Sequence, residues 1–172
     1  MIIEKPSIDQ YPEFYSQIID SVKSNNLIEE LKQNKTQTIS FFNSVSKDSL
    51  ITSYQNNKWT IVQILRHIID CEELYILRTK HFINFNTSTL PDFDVNKAME
   101  KIDKASLELE RLIIDFEQTR NKTINLFSNL SLEQLDFIGK ASNYNLTARS
   151  LGFITVGHSK HHMQVIKDKY LK

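Results

Sequence analysis

Only three glycines (Gly139, Gly152, Gly157) and three prolines (Pro6, Pro12, Pro91) punctuate the 172 residues of this chain. A β-rich fold needs many tight turns, and tight turns draw on these two residue types. Their scarcity predicts long helices joined by few loops, and it removes the glycine-rich phosphate loops of nucleotide-binding folds. The expected class is all-α.

The hydrophobic spacing gives the helices. A short helix is expected over residues 11–24 with Pro12 in its first turn, and a second over residues 27–45 with Leu27, Leu31, Thr38, Phe41 and Phe42 near helical spacing. Residues 46–58 read as a polar connector with room for one helical turn. A third helix opens at Thr60, a good N-cap, and extends to about Asn84. The segment 86–91 breaks the pattern. Asp94 can then cap a fourth helix from Val95 to Leu130, about 50 Å long. Ser131, followed by Glu133 and Gln134, predicts a restarted short helix near residues 132–137, and a loop through Gly139, Asn143 and Asn145 leads to a last helix from Thr147 to about Tyr170. Repeats and low-complexity segments are absent from the sequence. Four long amphipathic helices in one domain over residues 1–172 imply a four-helix bundle.

Charge and cysteine content narrow the function. The 21 Lys and Arg residues balance 21 Asp and Glu residues, so nothing steers the chain toward nucleic acid. A single cysteine, Cys71, excludes an internal disulfide framework and a cysteine-based zinc cluster. The start, Met-Ile-Ile-Glu-Lys-Pro, lacks a signal-peptide pattern, and no apolar run approaches the roughly 18 residues of a membrane span. A cytoplasmic protein without nucleic-acid or membrane partners is the expectation.

The chemistry concentrates in Gly157-His158-Ser159-Lys160-His161-His162. His158 and His162 are four residues apart, hence on one helix face a turn apart, and two imidazoles so spaced can bind one divalent ion. They interrupt a core-facing stripe of Leu151, Thr155 and Val165, where a buried imidazole is costly without a hydrogen bond or a metal. His67 lies mid-helix between Arg66 and Ile68-Ile69, and side chains converging from facing helices are how bundles build metal sites. The same histidines can equally be locally satisfied side chains near a helix end. His161 reads as a neighbour of the site or as solvent-facing, His81 as surface, and Cys71 as a small buried hydrophobe that can alternatively supply a soft ligand. Asp70, three residues after His67, can orient a ligand or pair with Arg66. Arg78 and Arg149 can hold an anionic substrate group or clamp carboxylates within the bundle.

Several pieces in this order resemble the DinB-like (YfiT-like) superfamily of small four-helix-bundle metal proteins. They are Lys58-Trp59-Thr60, His67-Ile68-Ile69-Asp70-Cys71-Glu72 followed by Arg78, Leu90-Pro91-Asp92-Phe93-Asp94, Arg120 to Phe127, and Thr147 to Ile154 leading into the histidine segment. The resemblance covers residue 50 to the end. It implies a long crossover between the second and third long helices and a divalent metal, zinc or nickel, held by His67, His158 and His162, with water in the open positions. It also implies a homodimer and a small-molecule substrate. Related members include thiol-dependent transferases, so a low-molecular-weight thiol cosubstrate and metal-assisted hydrolysis are both implied chemistries. Asp70 and His161 would be the candidate catalytic residues, the first orienting a ligand and the second relaying a proton. The rival expectation is a non-catalytic stress or interaction scaffold whose metal is structural.

Overall fold

A computed structural model describes residues 1–100, 102 and 107–171. Its helices are α1 (Ser16–Asp20), α2 (Leu27–Ser44), α3 (Lys47–Leu50), α4 (Ile61–Phe82), α5 (Val95–Glu100), α6 (Leu109–Phe127), α7 (Leu132–Asp136) and α8 (Ala148–Lys169). The expected N-caps form. Thr60 opens α4 through a reciprocal box with Gln63, Ser131 opens α7 with Gln134, and Thr147 opens α8 with Ser150.

The four long helices α2, α4, α6 and α8 make the bundle. Both α2 and α4 pack against α6 and α8, so α2 and α4 stand across the bundle from each other. Leu27 and Phe127 meet beside Gly152, which brings the start of α2, the end of α6 and the start of α8 to one end. At the opposite end the Tyr170 hydroxyl, just past α8, donates to the Trp59 carbonyl before α4 at 2.7 Å. Helices α2 and α8 therefore run one way and α4 and α6 the other. Two parallel neighbours, α4 and α6, need a long connection, and residues 83–108 supply it. This is the expected crossover.

The expected single helix from Val95 to Leu130 is two helices. Part of its length, residues 101 and 103–106, lies outside the described residues, but Glu108 is extended (φ −98°, ψ 131°) and starts α6 anew. Burial explains the break. At about 100° per residue, Leu112 would sit some 220° around an unbroken helix from Met99. Both are nonetheless buried, Met99 in α5 against α4 and Leu112 in α6 between α4 and α2.

Two further expectations are corrected. The first helix shrinks to a 3₁₀ turn (Glu13–Tyr15) and the five residues of α1, because the Ser21 hydroxyl bonds back to the Ile18 carbonyl at 2.6 Å and Ser-rich chain follows. The loop after α7 is a small hairpin, β1 (Gly139–Ala141) with β2 (Tyr144–Leu146) in antiparallel register. Its turn residues Ser142 and Asn143 both have positive φ, as a tight primed turn requires.

Two apolar clusters fill the bundle, one around Leu27, Leu31, Phe127 and Phe153, the other around Phe42, Ile61, Leu65 and Phe116. Between them lies a buried polar layer. Arg120 of α6, with no exposed surface, donates to both carboxylate oxygens of Glu72 in α4 at 2.7 and 3.0 Å. It also donates to Asn34 Oδ1 of α2 at 2.6 Å, which accepts the Ser159 hydroxyl of α8 at 2.6 Å. Thr123 adds a third donor to Glu72 at 2.7 Å. One network thus joins all four helices at a fixed axial level. Among the described residues no helix is long and apolar enough to cross a membrane.

Removing Arg120 strands a buried carboxylate, so Arg120→Ala is expected to lower stability by about 3–5 kcal/mol in chemical denaturation. Replacing Arg120 and Glu72 together by Met and Leu removes both charges and should recover much of that loss.

Candidate metal centre

The polar layer continues into the groove between α4 and α8. His67 lies in the second turn of α4 and is buried among isoleucines, while His158 and His162 lie one turn apart on α8 and are partly exposed. Antiparallel packing of α4 on α8 faces the two helices at this level. Gly157 lets the layer close. A Cβ there would run into the Ile18 backbone carbonyl of α1, which lies against α8 one residue before His158.

The three rings converge. His158 Nε2 is 3.2 Å from His67 Nε2 and 3.0 Å from His162 Nε2, and the ring centroids of His67 and His162 are 4.8 Å apart. Hydrogen bonding serves this arrangement poorly. A ring nitrogen offers either one N–H or one lone pair in its plane, so His158 Nε2 cannot satisfy two facing nitrogens at once. A cation in place of the proton fits both measured pairs. Two nitrogens at 2.0–2.1 Å from one ion lie about 2.9 Å apart at right angles and about 3.3 Å apart at the tetrahedral angle, a range that brackets both distances.

The electrostatics favour the ligand form of each imidazole. Burial pushes His67 down to about 4. Burial and then the neighbouring histidines His67 and His161 push His162 down to about 3, and burial followed by the same kind of neighbours holds His158 well below the ordinary range. All three are neutral near pH 7 with lone pairs available.

Cys71, one turn after His67, offers a second donor set. Its Sγ, His67 and His158 all place ligand atoms within 4.8 Å of one another. The sulfur lies 3.7 Å from both nitrogens of His67, close to the roughly 3.6 Å that separates a thiolate and an imidazole nitrogen on one tetrahedral ion. Burial, aided by the Asp70 charge, pushes its thiol up to about 12, which keeps it protonated. His67, His158 and Cys71 thus form one set of ligand atoms, and His162 adds a further nitrogen 3.0 Å from His158 Nε2.

The remaining expected site residues part company. Asp70 forms an ion pair with Arg66 at 2.6 Å one turn back, and no hydrogen bond links it to a histidine among the described residues. His161 is exposed and lies edge-on to His162 with centroids 5.2 Å apart. His81 bonds to Ser88 near the end of α4. Trp59 packs on His67 with ring centroids 4.7 Å apart and, with His162 and Tyr170, lines a cavity of about 280 Å³ that leads to the cluster. The sequence pattern missed Trp59 in this place and missed the Glu72–Arg120 pin behind the rings; a buried Arg in an amphipathic helix was the available signal.

Comparison with known proteins decides the kinship. The model of the DinB superfamily matches residues 30–166. The chain belongs to the DinB superfamily. A relative from Oceanobacillus iheyensis named "Putative metal-dependent hydrolase" is 28% identical over 156 residues, covering 88% of this chain and 89% of its own. A Bacillus cereus (strain ATCC 10987 / NRS 248) relative of the same name is 24% identical over 139 residues, covering 78% and 76%. Among solved structures, YfiT from Bacillus subtilis, described as a probable metal-dependent hydrolase with an unusual four-helix bundle topology, superposes with a TM-score of 0.72 at 18% identity. That match covers 96% of this DinB chain and 91% of YfiT.

The depressed imidazoles set a pH window for the metal-free protein. The unfolded histidines bind protons below about 6.5 and the folded His67 only near 4, so stability is complete above 6.5 and falls as pH drops toward 4. Thermal midpoints of metal-free protein between pH 7 and 4 should show this decline, and the His162→Gln variant should show a shallower one.

Proposed function

We propose that this DinB protein is a divalent-metal-dependent enzyme acting on a small molecule, with His67, His158 and His162 as its metal ligands. The observation that carries the reading is the convergence of three neutral imidazoles whose nearest Nε2 atoms lie 3.0 and 3.2 Å apart. Imidazole ligands suit zinc and nickel. The ion supplies Lewis acidity, which makes a nucleophile of a water or thiol near neutral pH and polarises an electrophile.

The chain's own residues do the rest. Trp59 packs on the His67 ring, and the cavity that it lines with Tyr170 and His162 gives access to the rings from that side. His161, exposed and in ring contact with His162, is assigned the exchange of protons with solvent. Asp70, held by Arg66, acts through its charge and not as a hydrogen-bond partner of the site. Of the two reactions considered, hydrolysis is supported by the names of the relatives and thiol transfer only by the family resemblance.

A second reading has one observation in its favour. Cys71 near His67 and His158 would make a four-ligand shell, and a closed shell is the mark of a structural metal in a non-catalytic scaffold.

Elemental analysis of untagged protein is expected to find about one zinc or nickel ion per chain. His162→Ala should lose that ion while keeping its helical circular dichroism, and Cys71→Ala should keep it. Full occupancy in His162→Ala would sink the three-histidine assignment.

A further inference from the structure

Three arginines are buried in this bundle, and two have an internal carboxylate. Arg120 pairs with Glu72, and Arg149 grips both oxygens of Asp136 at 2.7 and 2.9 Å. Arg78 is the exception. It is 5% exposed, yet no carboxylate lies within ion-pair distance of it among the described residues. Its Nη2 donates to the Ser142 hydroxyl at 2.8 Å, and its Nε has no partner. Ser142 in turn donates to Asp92 at 2.8 Å, so the exposed Asp92 reaches Arg78 only through that hydroxyl. Asp92 feels the Arg78 charge, but its carboxylate is in solvent and one hydroxyl away, so the buried guanidinium lacks a direct partner and leaves room for an anion.

Arg78 also lines a cavity of about 190 Å³, and Cys71 lines the same cavity. Cys71 is 3.7 Å from the His67 ring, so this cavity adjoins the histidine cluster on the side away from Trp59. Its walls are mostly apolar and aromatic, with Tyr15, Leu74 and Tyr75 inside, and the one carboxylate on the lining, Asp92, is exposed and bonded to Ser142. At the mouth stand three solvent-exposed rings: Phe14 at 58%, Tyr144 at 48% and Phe93 at 39%. Phe14 and Tyr144 meet edge to face with centroids 5.1 Å apart. A few convergent polar groups in an apolar cleft are what a small-ligand site requires.

We infer that this cavity is the substrate-binding arm of the metal centre and takes a small organic acid with an apolar or aromatic body, its carboxylate paired with Arg78. A planar guanidinium matches a carboxylate through two parallel N–H donors. A single arginine, faced by one exposed carboxylate at Asp92, suits a monoanion better than a phosphate dianion, for which clusters of cations are usual. Arg78 and His67 are eleven residues apart on α4, about 16 Å along its axis, and the arginine leans back toward the start of the helix. The reacting group of such an acid is therefore separated from its carboxylate by a chain or ring. The inference rests on the metal-enzyme reading above for its functional meaning, but the anion subsite itself needs no metal.

The test is calorimetric titration of the full chain, metal-free and zinc-loaded, with phenylacetate and with its uncharged analogue phenylacetamide. Phenylacetate is expected to bind at least ten-fold more tightly than the amide in both forms. Arg78→Gln should abolish that preference while leaving the metal content unchanged, and Ser142→Ala, which frees Arg78 Nη2, should weaken phenylacetate several-fold. Equal binding of acid and amide to the unmodified chain would overturn the inference, with no variant needed. A preference that survives in Arg78→Gln would overturn it too. Acid preference in a chain that takes up no metal would defeat the metal-enzyme reading alone, and metal uptake without acid preference would defeat the anion subsite alone.

Discussion

Glu72 and Arg120 meet in the dry middle of the bundle, where neither can turn to water and each must find every partner within the protein. Arg120 donates to both oxygens of Glu72 and to Asn34 Oδ1, which also accepts the Ser159 hydroxyl. A network of this kind tolerates little sliding, since a shift by one helical turn would leave buried charges unpaired. Apolar contacts above and below it are far more forgiving of register. Ser159 follows His158 directly, and Glu72 lies five residues from His67. The network that sets the axial level of α4, α6, α2 and α8 therefore also sets which histidines face each other.

That dependence explains how a metal centre can be held on helices rather than loops. The rings of His67, His158 and His162 are carried by two long antiparallel helices whose starts are fixed by reciprocal caps at Thr60 and Thr147. Burial then keeps all three rings neutral and in mutual contact, with centroids 4.5 to 5.0 Å apart. On either side the environment differs. Trp59 and Tyr170 line a cavity on one flank, while Cys71, Tyr75 and Arg78 continue along α4 into a mostly apolar cleft on the other.

Much of this was legible in the sequence because it is local. Spacing put His158 and His162 on one face, the side-chain oxygens of Thr60, Ser131 and Thr147 marked helix starts, and scarce glycine and proline excluded a β fold. What was not legible depends on contacts distant in the chain. The break before Glu108 follows from burying Met99 and Leu112 against different neighbours, which no periodicity within the segment reveals. Asp70 had two partners within a turn, and Arg66, a full charge at i−4, outcompetes a neutral imidazole at i−3. Arg78, Arg120 and Arg149 look alike in sequence; only the fold tells which two have carboxylates and which one does not.

The central claim is an open site of three imidazoles, and X-ray absorption spectroscopy at the edge of the bound metal tests it most directly. The account predicts a first shell of three imidazole nitrogens at about 2.0–2.1 Å completed by oxygen, with no sulfur. A sulfur scatterer at about 2.3 Å would bring Cys71 into the shell, close the site, and contradict the account.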